Sequence, residues 1–194
     1  MYRWAYLRKE LLRQIINPSM IKKFALLLLL FWGQQFCFAQ FSQVTLQATG
    51  LTCALCSKAI HQSLEKIPFV QKVSARLKES AFEMSIRPGA SVDPAQIRNA
   101  VEEAGFFVGA LYLTLEPNAD ALSEDLPVKQ GDVYYKVMGP SKGNRTKTYQ
   151  ILNEHFLTEK AYSKLLAGSL GASLREQPSL IEGAPVFYLK IVER

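Results

Sequence analysis

The chain has 194 residues, 48% of them hydrophobic and 21% charged, enough for one core of about 150 residues or two smaller ones, and too apolar for a disordered chain. Its formal charge of +6 is concentrated at the start: residues 1–39 hold Arg3, Arg8, Lys9, Arg13, Lys22 and Lys23 against Glu10, so residue 40 onward carries 17 basic and 16 acidic side chains. That near-neutral remainder argues against a nucleic-acid surface, which needs clustered positive charge.

Taken in order, Met20-Ile21-Lys22-Lys23 is a basic stretch, Phe24 to Trp32 an unbroken apolar run, and Gly33-Gln34-Gln35 a polar break before Cys37-Phe38-Ala39-Gln40. The order predicts a secretory signal peptide over 1–39, cleaved after Ala39 or Gln40. The apolar run is short for crossing about 30 Å of hydrocarbon, which speaks against a permanent anchor. Bulky Phe36 before Cys37 makes a poor lipoprotein acylation site. Residues 1–19 fit no part of such a signal, and read either as an extension ahead of a true start at Met20 or as a lengthened basic region. The expectation is an exported protein, periplasmic or secreted. With Cys37 removed, Cys53 and Cys56 are the remaining cysteines. A bridge across two intervening residues staples almost nothing, so the pair reads as functional and not structural.

From Gln43 the pattern is regular. Val44, Leu46 and Ala48 alternate with Thr45, Gln47 and Thr49, a half-buried strand. Gly50 lets the backbone turn, and Gly50-Leu51-Thr52-Cys53-Ala54-Leu55-Cys56 opens a helix. Cysteines at a helix start have lowered thiol pKa values, because the dipole and the free N–H groups favour the thiolate. Thiolates bind soft metal ions or exchange disulfides, and C-x-x-C alone leaves both open. Ala59, Ile60, Ser63, Leu64 and Ile67 give that helix an apolar face, and Pro68 stops it. Val73, Ala75 and Leu77, then Phe82, Met84 and Ile86, predict a hairpin turning at Glu79-Ser80. Asp93, Pro94 and Gln96 form an N-terminal capping set, Ile97, Ala100, Val101 and Ala104 the apolar face of a second helix, and Gly105 its left-handed end. Phe106 to Leu115 is a β-rich run. The order β-α-β-β-α-β predicts an α+β, ferredoxin-like sandwich, with two helices on one face of a four-stranded antiparallel sheet. In that topology the fourth strand starts beside the end of the first, so Phe106 is expected next to the Cys53 loop.

Residues 43–115 resemble the heavy-metal-associated domain family of soft-metal chaperones, P-type ATPase metal-binding modules and periplasmic mercury-binding proteins. Gly50 to Cys56 is similar to that family's G-M-T-C-x-x-C, and Glu103-Ala104-Gly105-Phe106 to its second-helix ending. The resemblance implies that Cys53 and Cys56 hold one soft cation between two thiolates, with Thr52 and the backbone shaping the loop. Leu51 replaces the usual Met, a volume-conserving exchange for an apolar anchor. Two thiolates with no nearby carboxylate, and Thr52 rather than an acid before Cys53, suit Cu(I) best. Hg(II) also accepts two sulfurs, and Zn(II) wants four ligands. The implied partners are a metal-transfer protein or a membrane transporter that takes the ion by ligand exchange. No catalytic residue or organic cofactor is implied.

The competing reading is a thiol-disulfide oxidoreductase using the same pair, with Gly183-Ala184-Pro185-Val186-Phe187-Tyr188 resembling a Pro-before-strand segment that faces a redox disulfide. Against it, no aromatic precedes Cys53, no Gly-Pro separates the cysteines, and Pro185 is accounted for by a strand start. Other candidates have plainer roles. His61, five positions after Cys56, lies about 140° round the helix and reads as solvated. Phe106 and Met84 read as core, and His155 and Met138 as isolated residues. Beyond Leu115, residues 116–129 read as a polar linker. Residues 130–194 read as a small α+β region, with strands near 132–138, 146–152 and 186–192 and a helix over 159–170.

Overall fold

The computed structural model describes residues 41–51, 54–116, 119, 122, 126–139 and 148–192. The signal segment expected at 1–39, together with Thr52 and Cys53, lies outside the described residues.

Strand β1 (Phe41–Thr49) buries Val44, Leu46 and Ala48 as its alternation demands. Helix α1 (Ala54–Glu65) lays Ile60 and Leu64 on the sheet, and the chain turns at Ile67 and Pro68 into β2 (Val70–Arg76). A 3-10 turn (Leu77–Glu79) and Ser80, at φ +48°, close the hairpin onto β3 (Ala81–Ile86). Phe82, Met84 and Ile86 point inward from β3, each worth roughly 1.5–3 kcal/mol on burial. Ala75, expected to face inward, keeps the register that pairs it with Phe82 but is exposed near the end of β2, the outermost strand of the sheet. Helix α2 (Pro94–Glu103) starts as its sequence dictates: the Ala95 N–H donates to Asp93 Oδ1 at 2.9 Å, and Pro94 occupies the first turn. Gly105 ends it at φ +86°. Strand β4 (Phe107–Leu115) returns antiparallel to β1. The order β2-β3-β1-β4 with all neighbours antiparallel is the expected ferredoxin-like sheet.

The sheet does not stop there. After β5 (Val128–Gln130) and β6 (Val133–Val137), strand β7 (Thr148–Ile151) pairs with the far edge of β4 from Tyr112 to Thr114. Helices α3 (Glu159–Ala167) and α4 (Ser169–Arg175) and a short β8 (Leu180–Ile181) precede β9 (Ala184–Ile191). Strand β9 lies antiparallel to β7 and parallel to β6, giving the order β2-β3-β1-β4-β7-β9-β6-β5. The expected boundaries at 116–129 and 130–194 divide the chain, but the hydrogen-bonded sheet runs across them. The stretch read as a polar linker sends Ala119 and Leu122 into the core, and the Leu122 N–H donates to Tyr149 Oη at 3.2 Å. The single helix expected over 159–170 is divided at Gly168, whose extended backbone ends α3 and starts α4.

Alternate residues of the later strands serve two cores. Val133, Tyr135, Val137, Phe187 and Leu189 join the α1/α2 core, while Tyr134, Val186 and Tyr188 meet Leu152 and Leu174 in a second cluster with α3 and α4. On the first side, ring centroids step from Phe41 to Tyr135 (5.0 Å), Tyr135 to Phe187 (5.9 Å) and Phe187 to Phe156 (5.6 Å), and the Arg98 guanidinium sits 5.8 Å from the Phe156 ring. Tyr135 Oη donates to the Val92 carbonyl at 2.7 Å, tying β6 to the start of α2. Among the described residues no helix is long and apolar enough to cross a membrane.

Burial, and secondarily the charge of Asp93, holds the Tyr135 phenol well above its ordinary 10.0. Its folded pKa therefore exceeds the unfolded one, so the stability it contributes is intact below pH 10 and is lost as the pH rises through the folded value. Urea unfolding is expected to show stability falling above pH 10, less steeply in Tyr135→Phe. Near neutrality that variant should lose about 1–2 kcal/mol, because the buried Val92 carbonyl is left without its donor.

Candidate metal centre

The residues flanking Thr52 and Cys53 are set by β1 on one side and α1 on the other. Gly50 leaves β1 at φ +83°, a left-handed backbone that an L side chain rarely adopts. Leu51 is half-buried against the α1/α2 core, consistent with an anchoring role. At the other end the chain enters α1 at Ala54, so Cys56 belongs to the first helical turn, whose N–H groups have no partner within the helix, and that turn holds no acidic residue. Cys56 is half-exposed and disulfide-bonded, its partner sulfur lying outside the described residues. A thiolate at this position would have a favourable field and access to solvent.

The pairing of Thr49 with Phe107 brings the start of β4 to the loop, and Thr49 Oγ1 donates to the Phe107 carbonyl at 3.3 Å. Phe106 is half-buried, its Cδ1 3.9 Å from where a Cβ on Gly50 would stand. It is thus both core-packed and next to the loop, as the topology predicts. Two apolar side chains not singled out by the sequence, Leu55 (78% exposed) and Phe107 (70% exposed), stand in solvent near this end of the sandwich. Leu55 could have been noticed as an apolar residue on the solvent side of the first helical turn; Phe107 carries no local signal, since a strand residue's face depends on register.

The other candidates are placed elsewhere. His61 is not simply solvated: it is half-buried, with Nε2 3.2 Å from the Val73 carbonyl and Nδ1 3.5 Å from Glu65. Those contacts turn it toward β2. Met84 is fully buried in the first core and Met138 packs in the second. His155 is exposed at φ +69°, in a cleft it shares with Glu154, Glu159 and Tyr162. Pro185 sits at the start of β9, opposite Leu180. Among the described residues no three His, Cys, Asp or Glu side chains group to hold a metal ion.

A cysteine, Cys56, in the first turn of the first helix of a βαββαβ sandwich defines a cysteine-bearing ferredoxin-like scaffold. Residues 45–107 match the model of the heavy-metal-associated domain, and this part of the chain belongs to that family. Among solved structures, a candidate copper-ion-binding protein from Bacillus anthracis is 30% identical, with 37% of this chain and 99% of that one covered at a TM-score of 0.32. The yeast copper transporter domain Ccc2a, solved in apo and Cu(I)-loaded states, is 25% identical over 33% of this chain and 86% of its own, at a TM-score of 0.30. The N-terminal domain of PacS from Synechocystis is 27% identical, covering 34% and 91%, with a TM-score of 0.30. No curated protein matches the chain.

The left-handed backbone at Gly50 makes a direct prediction. Gly50→Ala has room for its methyl group beside Phe106 but not the backbone it needs, so thermal unfolding should show a loss of about 1–2 kcal/mol. An unchanged melting temperature would mean that the loop can leave β1 by another route.

Proposed function

We propose that the chain is an exported, non-enzymatic carrier of a soft metal ion, holding one Cu(I) between Cys53 and Cys56 and passing it to a thiol-bearing partner, a transfer protein or a membrane transporter. The observation that carries this reading is the match of residues 45–107 to the heavy-metal-associated domain, a stretch whose sequence holds the C-x-x-C pair Cys53 and Cys56. Two sulfurs suit a low-coordinate soft ion. The half-exposed position of Cys56 lets an incoming thiolate reach the site. Transfer is an exchange: one metal–sulfur bond to the partner forms as one to the chain breaks, and no electron changes hands. A disulfide-bonded Cys56 supplies no thiolate, so only the reduced protein would load.

Titration of the reduced protein with Cu(I), Zn(II) and Hg(II) tests the proposal. The expected result is one Cu(I) per chain, with Cys53→Ser and Cys56→Ser each weakening it by at least about 100-fold, more than the 10–100-fold typical of losing an outer-shell partner. Binding unchanged in both variants would refute it, and preference for another ion would reassign the cargo.

The disulfide at Cys56 favours a second reading, thiol-disulfide oxidoreductase. In that case the bridge would be the working oxidant, accepting two electrons from a substrate dithiol. Sustained disulfide turnover with a dithiol donor, lost in Cys56→Ser, would support it over the carrier.

A further inference from the structure

The second face of the sheet carries a basic hollow far along the chain from the cysteine loop. Strands β6 and β9 run parallel with Lys136 beside Tyr188. Alternation puts Lys136 and Met138 on the face of Tyr134, and Lys190 on the face of Tyr188, the side packed by α3 and α4. Strand spacing and rise set the Cα atoms of the two lysines roughly 8 Å apart. Ser169 and Ser173 of α4, followed by Gln177, recur at four-residue intervals and form the opposite wall of a cavity of about 640 Å³. Met138 and Leu170 give it an apolar patch.

Among the described residues no acidic side chain lines the cavity, and neither lysine belongs to an ion pair. Lys136 is held by a neutral acceptor, Nζ donating to Gln177 Oε1 at 2.8 Å, which fixes the ammonium without cancelling it. A concave site of a few hundred cubic ångströms with an apolar patch and a few convergent polar groups is the usual form of a small-molecule site.

We infer that this hollow binds a small organic anion, its carboxylate or phosphate group met by Lys136 and Lys190 and by the Ser169 and Ser173 hydroxyls, its apolar portion lying on Met138 and Leu170. The site is independent of the cysteine pair and of any metal cargo.

Calorimetric titration of the full chain with octanoate, octyl phosphate and inorganic phosphate tests the inference. The expected result is saturable binding of an octyl anion, tighter than inorganic phosphate, weakened by added salt and weakened about tenfold or more in Lys190→Gln. Ser173→Asp, which places a carboxylate on the wall, should abolish it. Lys190 and Ser173 are exposed, so both variants should keep the unfolding curve of the parent and its Cu(I) titration. Stronger binding of octyl phosphate than of octanoate would name the headgroup as phosphate, and the reverse order as carboxylate. Absence of saturable binding by either octyl anion, or equal binding in Lys190→Gln and Ser173→Asp, would overturn the inference.

Discussion

The antiparallel pairing of β1 with β4 decides where the cysteine loop stands and what surrounds it. Because Thr49 lies opposite Phe107, the turn at Gly50 emerges beside Phe106 and the first turn of α1 faces outward at the same end. A slip of one residue would send Val44, Leu46 and Ala48 to the wrong face, so burial of that row enforces the pairing. Gly109 adds a local restraint: a Cβ there would come within 2.8 Å of Thr49 Cγ2 and 3.3 Å of the Gln47 carbonyl. The close approach of the two strands near the loop thus depends on a residue without a side chain.

The C-terminal strands are built into the same framework. Tyr135 reaches from β6 to the Val92 carbonyl, Phe187 bridges between Tyr135 and Phe156, and Arg98 of α2 lies over the Phe156 ring. These contacts fix α2 from its far side, while α1 and the core hold it from the near side. The cysteine turn therefore belongs to a sheet supported along both of its faces in the C-terminal half and along one face near the loop.

Much of the first half was legible because its signals are local. The alternation of β1 and β3, the Asp93 cap and the Gly105 terminus each follow from a few neighbouring residues. The second half depends on pairing at a distance. Nothing local in Thr148–Ile151 says that it will join β4, nor in Ala184–Ile191 that it will run parallel to β6. Ala119 and Leu122 were hidden among polar neighbours, and the break at Gly168 was masked by apolar spacing that continues across it. Helical angle alone left His61 pointing to solvent; the closeness of the β2 carbonyl at Val73 is a tertiary fact. At the candidate site, the sequence indicated Cys56 at a helix start and Phe106 beside the turn, while Cys53 and Thr52 lie outside the described residues.

The cover that β7 places on β4 has a further consequence. In a free-standing four-stranded sandwich, β4 is an outermost strand whose unpaired amides can recruit a second molecule into a growing ribbon. Here three of its positions, Tyr112 to Thr114, are occupied from within, and a bridge between Ala110 and Leu157 blocks another. The molecule thereby insulates the half of that flank remote from the cysteine turn against self-association, at the cost of making the amino-terminal half ill-suited to life as a severed fragment.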